Sequence, residues 1–576
     1  MIRIERYRAA LRRVMREEGL RGLPGLAHRF LVGRFLCHGV LKAEEARRPE
    51  AEARYQAWLA RHLPDEAEKR AQREARFTHR VSFLIPTYNT RPEFLAALAD
   101  SLLVQTCEAW EACFYDGCST APETREALAR LAERDARFRV RMGKENLNIS
   151  GNTNLAAEMA GGDWFALCDH DDLLAPDAVY HVLSAAEAGA DFVYSDEDKC
   201  SEDGARFFDP HLKPDFSPEA LRSGNYICHL MAMDAGLFRR AGGLRSRYDG
   251  SQDHDLALRA TELAKKITHI PRVLYHWRMV GASFSHQGAA RCAEAAAAAV
   301  QSQLDRLHIR GTAELHQLRP HLRYDVPEGA KIALLVWAEA RGTARWLRAL
   351  KRRTADEISE VILISRDWPD GVPGARCAAS AAEAVQMARA EYVAFVAQGL
   401  LPENPHWLRE MLMFAQRERV GMTGGPVVDR LRRYLHAGYA VDVPGGALSY
   451  HAGACCLGHT YQLTDRIARE VTAVSSALCM MRRETYLRLG CFDGFESDLK
   501  GAAQGALLMR EGYVNLYTPY ALMRAHGCSP CLTGGAPEAD KRRMAALVGE
   551  HPAERYYSPL FEKNLGAMCV EAADVN

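Results

Sequence analysis

Asp169-His170-Asp171-Asp172 is the stretch of this chain best equipped for chemistry: carboxylates around an imidazole, directly after the apolar run Trp164 to Cys168. The apolar run reads as a buried strand, so the acidic residues fall at its exit. Carboxylates that close repel one another, and a cation among them relieves the repulsion. Hard oxygen ligands suit Mg²⁺ or Mn²⁺, which keep open positions for a substrate's phosphate oxygens. The plainer alternative is an acidic turn capping the helix that Pro176 opens, and an isolated Asp-x-Asp recurs by chance.

The surrounding elements favour chemistry. Val81 to Pro86 is a short apolar strand followed by the turn Thr87-Tyr88-Asn89, and a helix from Glu93 to Gln105 returns to a second strand, Ala109 to Tyr115. That strand closes on Asp116-Gly117-Cys118-Ser119; a third follows at Phe138 to Arg141, then a helix from Asn152 to Ala160. Alternating strands and helices predict a parallel α/β sheet, in which ligands bind beyond the carboxyl ends of the strands. Tyr88, Asp116, Asn154, Asp169 and Asp171 all fall at or just past those ends. Farther on, Asp191 to Tyr194 reads as a strand followed by the acidic loop Ser195 to Lys199, and Ile227 to Met233 as another strand. Asp253 precedes a helix, where it either caps that helix or serves as a general base. His276, at the end of a strand, is either a core histidine or a ligand for metal or phosphate.

The totals exclude several classes. A chain of 576 residues needs two or three domains, and its 74 basic and 74 acidic residues give no field that would gather nucleic acid. Sixteen scattered cysteines without a disulfide framework suit a reducing cytoplasm. No apolar run approaches the ~20 residues of a membrane span. Arg3, Arg6, Arg12, Arg13 and Arg16 recur near helical spacing, so residues 1–40 form a basic amphipathic helix that either lies on an anionic membrane or packs on its own protein.

Taken together, Pro86-Thr87-Tyr88-Asn89, Asp116-Gly117-Cys118-Ser119, Asp169-His170-Asp171-Asp172, Tyr194 to Lys199, Gly250-Ser251-Gln252-Asp253-His254-Asp255 and His269 to Arg278 resemble a bacterial family 2 glycosyltransferase of the type that builds surface polysaccharides such as O-antigen. The resemblance implies a GT-A fold, a divalent cation (Mn²⁺ or Mg²⁺), a nucleotide-diphosphate sugar donor, and a glycan or lipid-linked acceptor. By motif position Asp171 binds the metal, with Asp169 on ribose or metal and His276 as a further ligand. Pro86, Tyr88, Asn89, Asp116, Asn154 and His170 line the nucleotide-sugar pocket, Asp253 is the base, and Asp196, Glu197, Gln252 and Trp277 border the sugars. Gly117 departs from the family, which often has a second acidic residue there; the nucleotide base is therefore open.

The second half repeats the first without its carboxylates. Lys331 to Trp337, Val361 to Ser365 and Tyr392 to Val396 restart the strand pattern, but Ala397-Gln398-Gly399 stands where the acidic cluster should be, and Gly501 falls at the expected position of Asp253. The resulting organisation is an N-terminal helical region (1–78), a catalytic domain (79–315), a linker (316–329), a degenerate GT-A-like domain (330–540) and a tail (541–576). The competing readings are a glycan-binding scaffold with both halves silent, a bifunctional polymerase using both, and a sugar nucleotidyltransferase. The last should carry a Gly-rich basic loop after its first strand, and Thr87-Tyr88-Asn89-Thr90 is not one.

Overall fold

Strands β1 (Val81–Thr87) and β2 (Trp110–Asp116) are buried at every position, as strands covered on both faces must be. They belong to a sheet completed by β3 (Phe138–Met142), β4 (Trp164–Leu167), β5 (Leu173–Leu174), β6 (Phe192–Cys200), β7 (Phe207–His211), β8 (Met231–Asp234) and β9 (Ile267–Arg278). The order across the sheet is β3-β2-β1-β4-β8-β6-β9-β5, with β7 on β6. Helices cover both faces, and the side chains alternate into two apolar layers, one around Phe83, Trp110 and Val179, the other around Leu84, Phe165 and Leu256. This computed structural model describes residues 38–280, 288–365, 372–441, 443, 446–457, 461–490, 494–526, 536–549 and 554–561. The arginine-rich stretch at 1–37 and Cys528-Ser529-Pro530-Cys531 lie outside the described residues. Among the described residues no helix is long and apolar enough to cross a membrane.

Three sequence expectations for the first sheet change. The sheet is mixed rather than wholly parallel: β8 runs antiparallel to both β4 and β6. Ser195 to Lys199 is not a loop but the continuation of β6, and Asp196, Glu197 and Asp198 are buried. Their charges are met by distant partners: Asp196 by His269 at 2.9 Å, Glu197 by His211 at 3.1 Å, and Asp198 by His276 at 2.5 Å and the Tyr55 hydroxyl at 2.6 Å. Paired charge can be buried where isolated charge cannot. Residues 227–230, read as strand, are loop, and β8 begins only at Met231.

The strand Ile332–Trp337 begins a second sheet, ordered 376–378, 360–364, 332–337, 392–397, 478–482, 420–424, 514–517, 469–471. Through its first seven strands this repeats the order and the directions of β3-β2-β1-β4-β8-β6-β9, including the antiparallel central strand Leu478–Arg482. Between the sheets, β10 (Gly311–His316) and β11 (Arg319–Tyr324) form a hairpin where a linker was expected.

The two sheets share core. Leu322, Tyr324, Met413, Phe414 and Leu516 join one apolar layer of the first sheet, and Tyr55, Trp58 and Leu59 of the helix His38–His62 pack with Leu212, Val273, Tyr557 and Phe561. Within this joint Glu219 accepts from Arg222 (2.6 Å), the Tyr324 hydroxyl (2.7 Å) and Arg417, while Glu470 accepts from the Ser217 hydroxyl and the Glu219 amide (3.2 Å). Burial, and then the charge of Glu219, raise Glu470 from 4.5 to about 7. Burial alone would raise Glu219 too, but Arg222 and Arg417 outweigh it and hold it at about 2. Glu470 therefore contributes stability that is complete below its unfolded pKa of 4.5 and is lost as pH rises through about 7. Glu219 acts in a separate window, its contribution complete above 4.5 and lost as pH falls through about 2. The difference in unfolding free energy between wild type and Glu470→Gln should thus change by on the order of 2 kcal/mol from pH 5 to pH 8, read by denaturant unfolding. A difference that stays flat over that range would mean Glu470 does not titrate there.

Candidate active site

The acidic turn is clamped from below. Past β4, β5 pairs antiparallel with β9, setting Leu173 opposite His276 and Leu174 opposite Tyr275. That register brings the Tyr275 hydroxyl beneath the turn, where it accepts from the Asp169 amide (3.0 Å) and donates to Asp172 (2.6 Å). The Arg278 amide donates to the other Asp172 oxygen at 2.7 Å, and its guanidinium to the Asp171 carbonyl. Burial, and then the charges of Asp171 and Asp169, push the Asp172 carboxyl well above the usual range.

The loop 225–230 closes the other side. His229 stacks on the Tyr275 ring, with centroids 4.5 Å apart and planes 13° from parallel, and its Nε2 stands 3.7 Å from Asp169 Oδ2. Metal-ligating atoms of Asp169, Asp172 and His229 all lie within 4.8 Å of one another. The donor set, two carboxylates and an imidazole, fits a divalent cation. So do buried Nδ1 atoms on His229 and His170 that have no hydrogen-bond partner. Asp253 lies in the first turn of the helix Gln252–Leu263, but Ser251 is the capping residue. Its Oδ2 accepts from Asn225 Nδ2 at 2.7 Å. Desolvation raises Asp169, with His229 pulling the other way and the charges of Asp171 and Asp253 adding to the rise, so base candidate and acidic turn share one electrostatic neighbourhood.

The proposed nucleotide side is built from the loops after β1 and β2. Pro86 sits opposite Tyr115 and Thr87 opposite Asp116. Asp116 is buried and accepts from the Ser119 amide (2.8 Å) and hydroxyl (2.5 Å). Asn89 donates its amide to the Ser119 hydroxyl (2.8 Å), and its side chain accepts from the Thr120 and Ala121 amides at 2.9 and 3.0 Å. Stitching the loops together leaves Tyr88 44% exposed above them, with ring area free to stack. At Gly117 an added Cβ would lie 2.4 Å from Asn152 Nδ2, a packing reason for glycine where the family often carries an acid.

Several predicted site residues are committed elsewhere. His276 Nδ1 donates to the Asp198 carboxylate at 2.5 Å and its ring packs on Phe207; His229 takes the place expected for it beside the acidic turn. Asp171 is not among the converging ligand atoms; it lies 3.7 Å from His170 Nδ1 and is partly exposed. Asn154 is spent on the Leu244 backbone, with bonds of 2.9 Å in both directions. Asp196 and Glu197 are interior, and burial, which would raise Glu197, is outweighed by Lys213, His211 and His229, which hold it at about 2. Gln252 accepts from the Gly250 amide at 2.8 Å, and Trp277 packs against the core of the sheet. His229, Asn225 and Tyr275 carried no assigned role in the sequence reading. His229 lies in a segment mistaken for strand, Asn225 just before that segment, and Tyr275 sits inside a quoted motif with nothing local to mark it.

The second sheet allows the repeat to be aligned by geometry. The helices Gln252–Leu263 and Leu499–Arg510 both have 12 residues, and each is followed after three residues by its strand, at Ile267 and Val514. That register puts Lys500, not Gly501, at the position of Asp253. Its ammonium lies 4.4 Å from the centroid of the Trp337 ring. Gln398, in the place of the acidic turn, accepts from the Glu339 amide (3.0 Å) and the Thr343 hydroxyl (2.7 Å). His436 is buried, which lowers it to about 3, and its Nε2 accepts from the Ser475 amide at 2.7 Å.

Residues 82–242, a span that includes the acidic turn, match the model of Glycosyl transferase family 2, and the sheet that carries them is of mixed α/β type. Over longer spans the chain is 32% identical across 490 residues to the uncharacterized protein y4gI of Sinorhizobium fredii, covering 77% of this chain and 53% of that one. It is 28% identical across 533 residues to the O-antigen biosynthesis protein RfbC of Myxococcus xanthus, covering 85% and 41%. The chain thus spans about half the length of these curated relatives. Among solved structures it is similar to TarS 1-349 of S. aureus in complex with UDP-GlcNAc, at 15% identity over 39% of this chain and 66% of that one, with a TM-score of 0.32. The mannosyltransferase PcManGT of Pyrobaculum calidifontis in complex with GDP-Man and Mn²⁺ matches at 19% identity over 44% and 73%, with a TM-score of 0.30.

Proposed function

We propose that this chain is a metal-dependent, inverting glycosyltransferase that moves a sugar from a nucleotide-diphosphate donor to a glycan or lipid-linked acceptor in surface-polysaccharide assembly. Residues 79–315 do the chemistry and residues 330–540 are silent. The observation that carries the reading is the meeting of Asp169, Asp172 and His229 in one electrostatic neighbourhood with Asp253, set against Gln398 and Lys500 in the second module. Tyr88 stacks on the nucleoside, over the loops stitched by Asn89 and Asp116.

Asp169 and His229 would hold the cation, joined by Asp171 as its motif position implies, while Asp172, which lies in the same cluster but has both oxygens already accepting bonds, anchors the turn. When bound, a divalent cation neutralises charge on the departing diphosphate. Asp253, with one oxygen fixed by Asn225, takes the proton from the acceptor hydroxyl. The acceptor oxygen bonds to the anomeric carbon as the carbon–phosphate-oxygen bond breaks, the electron pair leaves with the diphosphate, and a single displacement inverts the centre. The sugar passes through an oxocarbenium-like state. The protein works in the cytoplasm at the inner face of the membrane, where the arginines of residues 1–40 meet anionic lipid.

The test is a screen of uridine, guanosine and thymidine diphosphate sugars with Mn²⁺, Mg²⁺ or chelator, read by thermal shift and by donor hydrolysis. One donor class should raise the melting temperature only with metal, and should also be hydrolysed slowly. Binding indifferent to metal, or no binding across the panel, would sink the reading.

A further inference from the structure

We propose that the second module is a positioning element for the catalytic loop of the first, acting chiefly through Glu470; this rests on the reading of Asp253 and His229 above. The segment between β7 and β8 supplies that loop, and the second half of the chain grips it at successive points. The Tyr461 hydroxyl accepts from the Leu212 amide (2.6 Å) and donates to the Pro210 carbonyl (2.8 Å). The Arg555 carbonyl accepts from the Asp215 amide at 2.8 Å. Glu470, in the strand Arg469–Val471, accepts from the Ser217 hydroxyl and the Glu219 amide, at the start of the short helix Pro218–Ser223. Arg417 reaches Glu219 from the same side.

What is gripped leads directly to the site. The Leu221 carbonyl of that short helix meets His254 Nε2 at 2.6 Å, and His254 is the neighbour of Asp253. A carbonyl oxygen can only accept, so His254 Nε2 donates this bond, and burial lowers the pKa of the ring. The helix exits into Asn225, which donates to Asp253 and accepts from the Cys228 amide at 3.2 Å. Lys213, fully buried between the Tyr461 and Glu470 contacts, donates to the Ile227 carbonyl (2.6 Å) and the His229 carbonyl. Glu197 accepts from the His229 amide at 2.8 Å. One side chain of the second module therefore stands a few bonded contacts from both Asp253 and His229. A 1 Å error in such groups costs roughly 100-fold in rate, so a rigid outside support has a use that the missing carboxylates do not remove. The carboxylate at 470 offers no chemistry to a substrate, being enclosed in the joint.

The experiment compares Glu470→Ala and Glu470→Gln in the full chain. Glutamine keeps a side-chain oxygen that can accept from both Ser217 and Glu219; alanine keeps none. In Glu470→Ala, hydrogen exchange at the Cys228 and His229 amides should quicken at least about tenfold while β1 and β4 stay protected as in wild type. In the same variant kcat should fall roughly 10- to 100-fold with donor KM within about twofold, and Glu470→Gln should recover most of both effects. Unchanged loop exchange and kcat in Glu470→Ala would overturn the proposal. So would protection lost evenly across both sheets, because that is general destabilisation. A wild type without metal-dependent turnover would count against the glycosyltransferase reading alone, and the exchange comparison would still decide this one.

Discussion

Asp253→Asn should reduce sugar transfer by roughly 10²–10⁴-fold, the range that general-base assistance supplies, while leaving metal-dependent donor binding at its wild-type affinity. The substitution isolates proton transfer because the surroundings tolerate an amide. Asp253 is not the cap of its helix, Ser251 is, so no helix end is lost. Its one side-chain partner, Asn225 Nδ2, is a donor, and an asparagine at 253 can turn its carbonyl oxygen toward it. What asparagine lacks is a lone-pair oxygen basic enough to take the acceptor's proton. Donor hydrolysis and transfer should fall together in kcat, with donor KM held, when rates are followed by nucleotide release at saturating donor. A variant that transfers at the wild-type rate would remove Asp253 from the chemistry, and a variant that fails to bind donor would make it a binding residue instead.

The parts of the site that could be read from sequence are those in which local composition and chemistry coincide. Trp164 to Leu167 is apolar and buried, so its exit into Asp169-His170-Asp171-Asp172 was visible, as were the exits of β1 at Tyr88 and of β2 at Asp116. The failures come from pairing across the chain. Asp196, Glu197 and Asp198 look like a solvated loop until His269, Lys213 and His276 are placed against them; hydrophobic periodicity has no means of seeing a buried charge that is neutralised from elsewhere. The same blindness hid His229, whose role depends on Tyr275 rising under it from β9. It also misjudged His276, which satisfies Asp198 inside the sheet. In the repeat, the sequence register that set Gly501 on Asp253 missed by one residue. Only the helix and strand boundaries bring Lys500 onto Asp253.

That same geometry separates residues that would grip the cation from the residue that holds their turn in place, and the separation is measurable. Asp169→Ala, Asp171→Ala and His229→Ala should each abolish or strongly weaken the Mn²⁺-induced rise in melting temperature while leaving the metal-free melting temperature within a degree or two. A ligand at 100 times its dissociation constant stabilises by about 2.7 kcal/mol, a shift of about 2–4 °C in a chain of this size, so the loss is readable. Asp172→Ala should do the reverse of the first part. It strips the acceptor from the buried Tyr275 hydroxyl and from the Arg278 amide, and leaving such donors unmet costs about 1–3 kcal/mol each. Its metal-free melting temperature should therefore fall by several degrees. His229→Ala is the sharpest member of the set, since the imidazole makes no protein hydrogen bond through Nδ1 and its removal costs the apo fold a stacking contact with Tyr275 and its electrostatic contacts with Asp169 and Glu197. A full Mn²⁺ response in His229→Ala, with Asp171→Ala silent, would return the cation to the carboxylates alone. A Mn²⁺ response retained in Asp169→Ala as well would move it out of this turn.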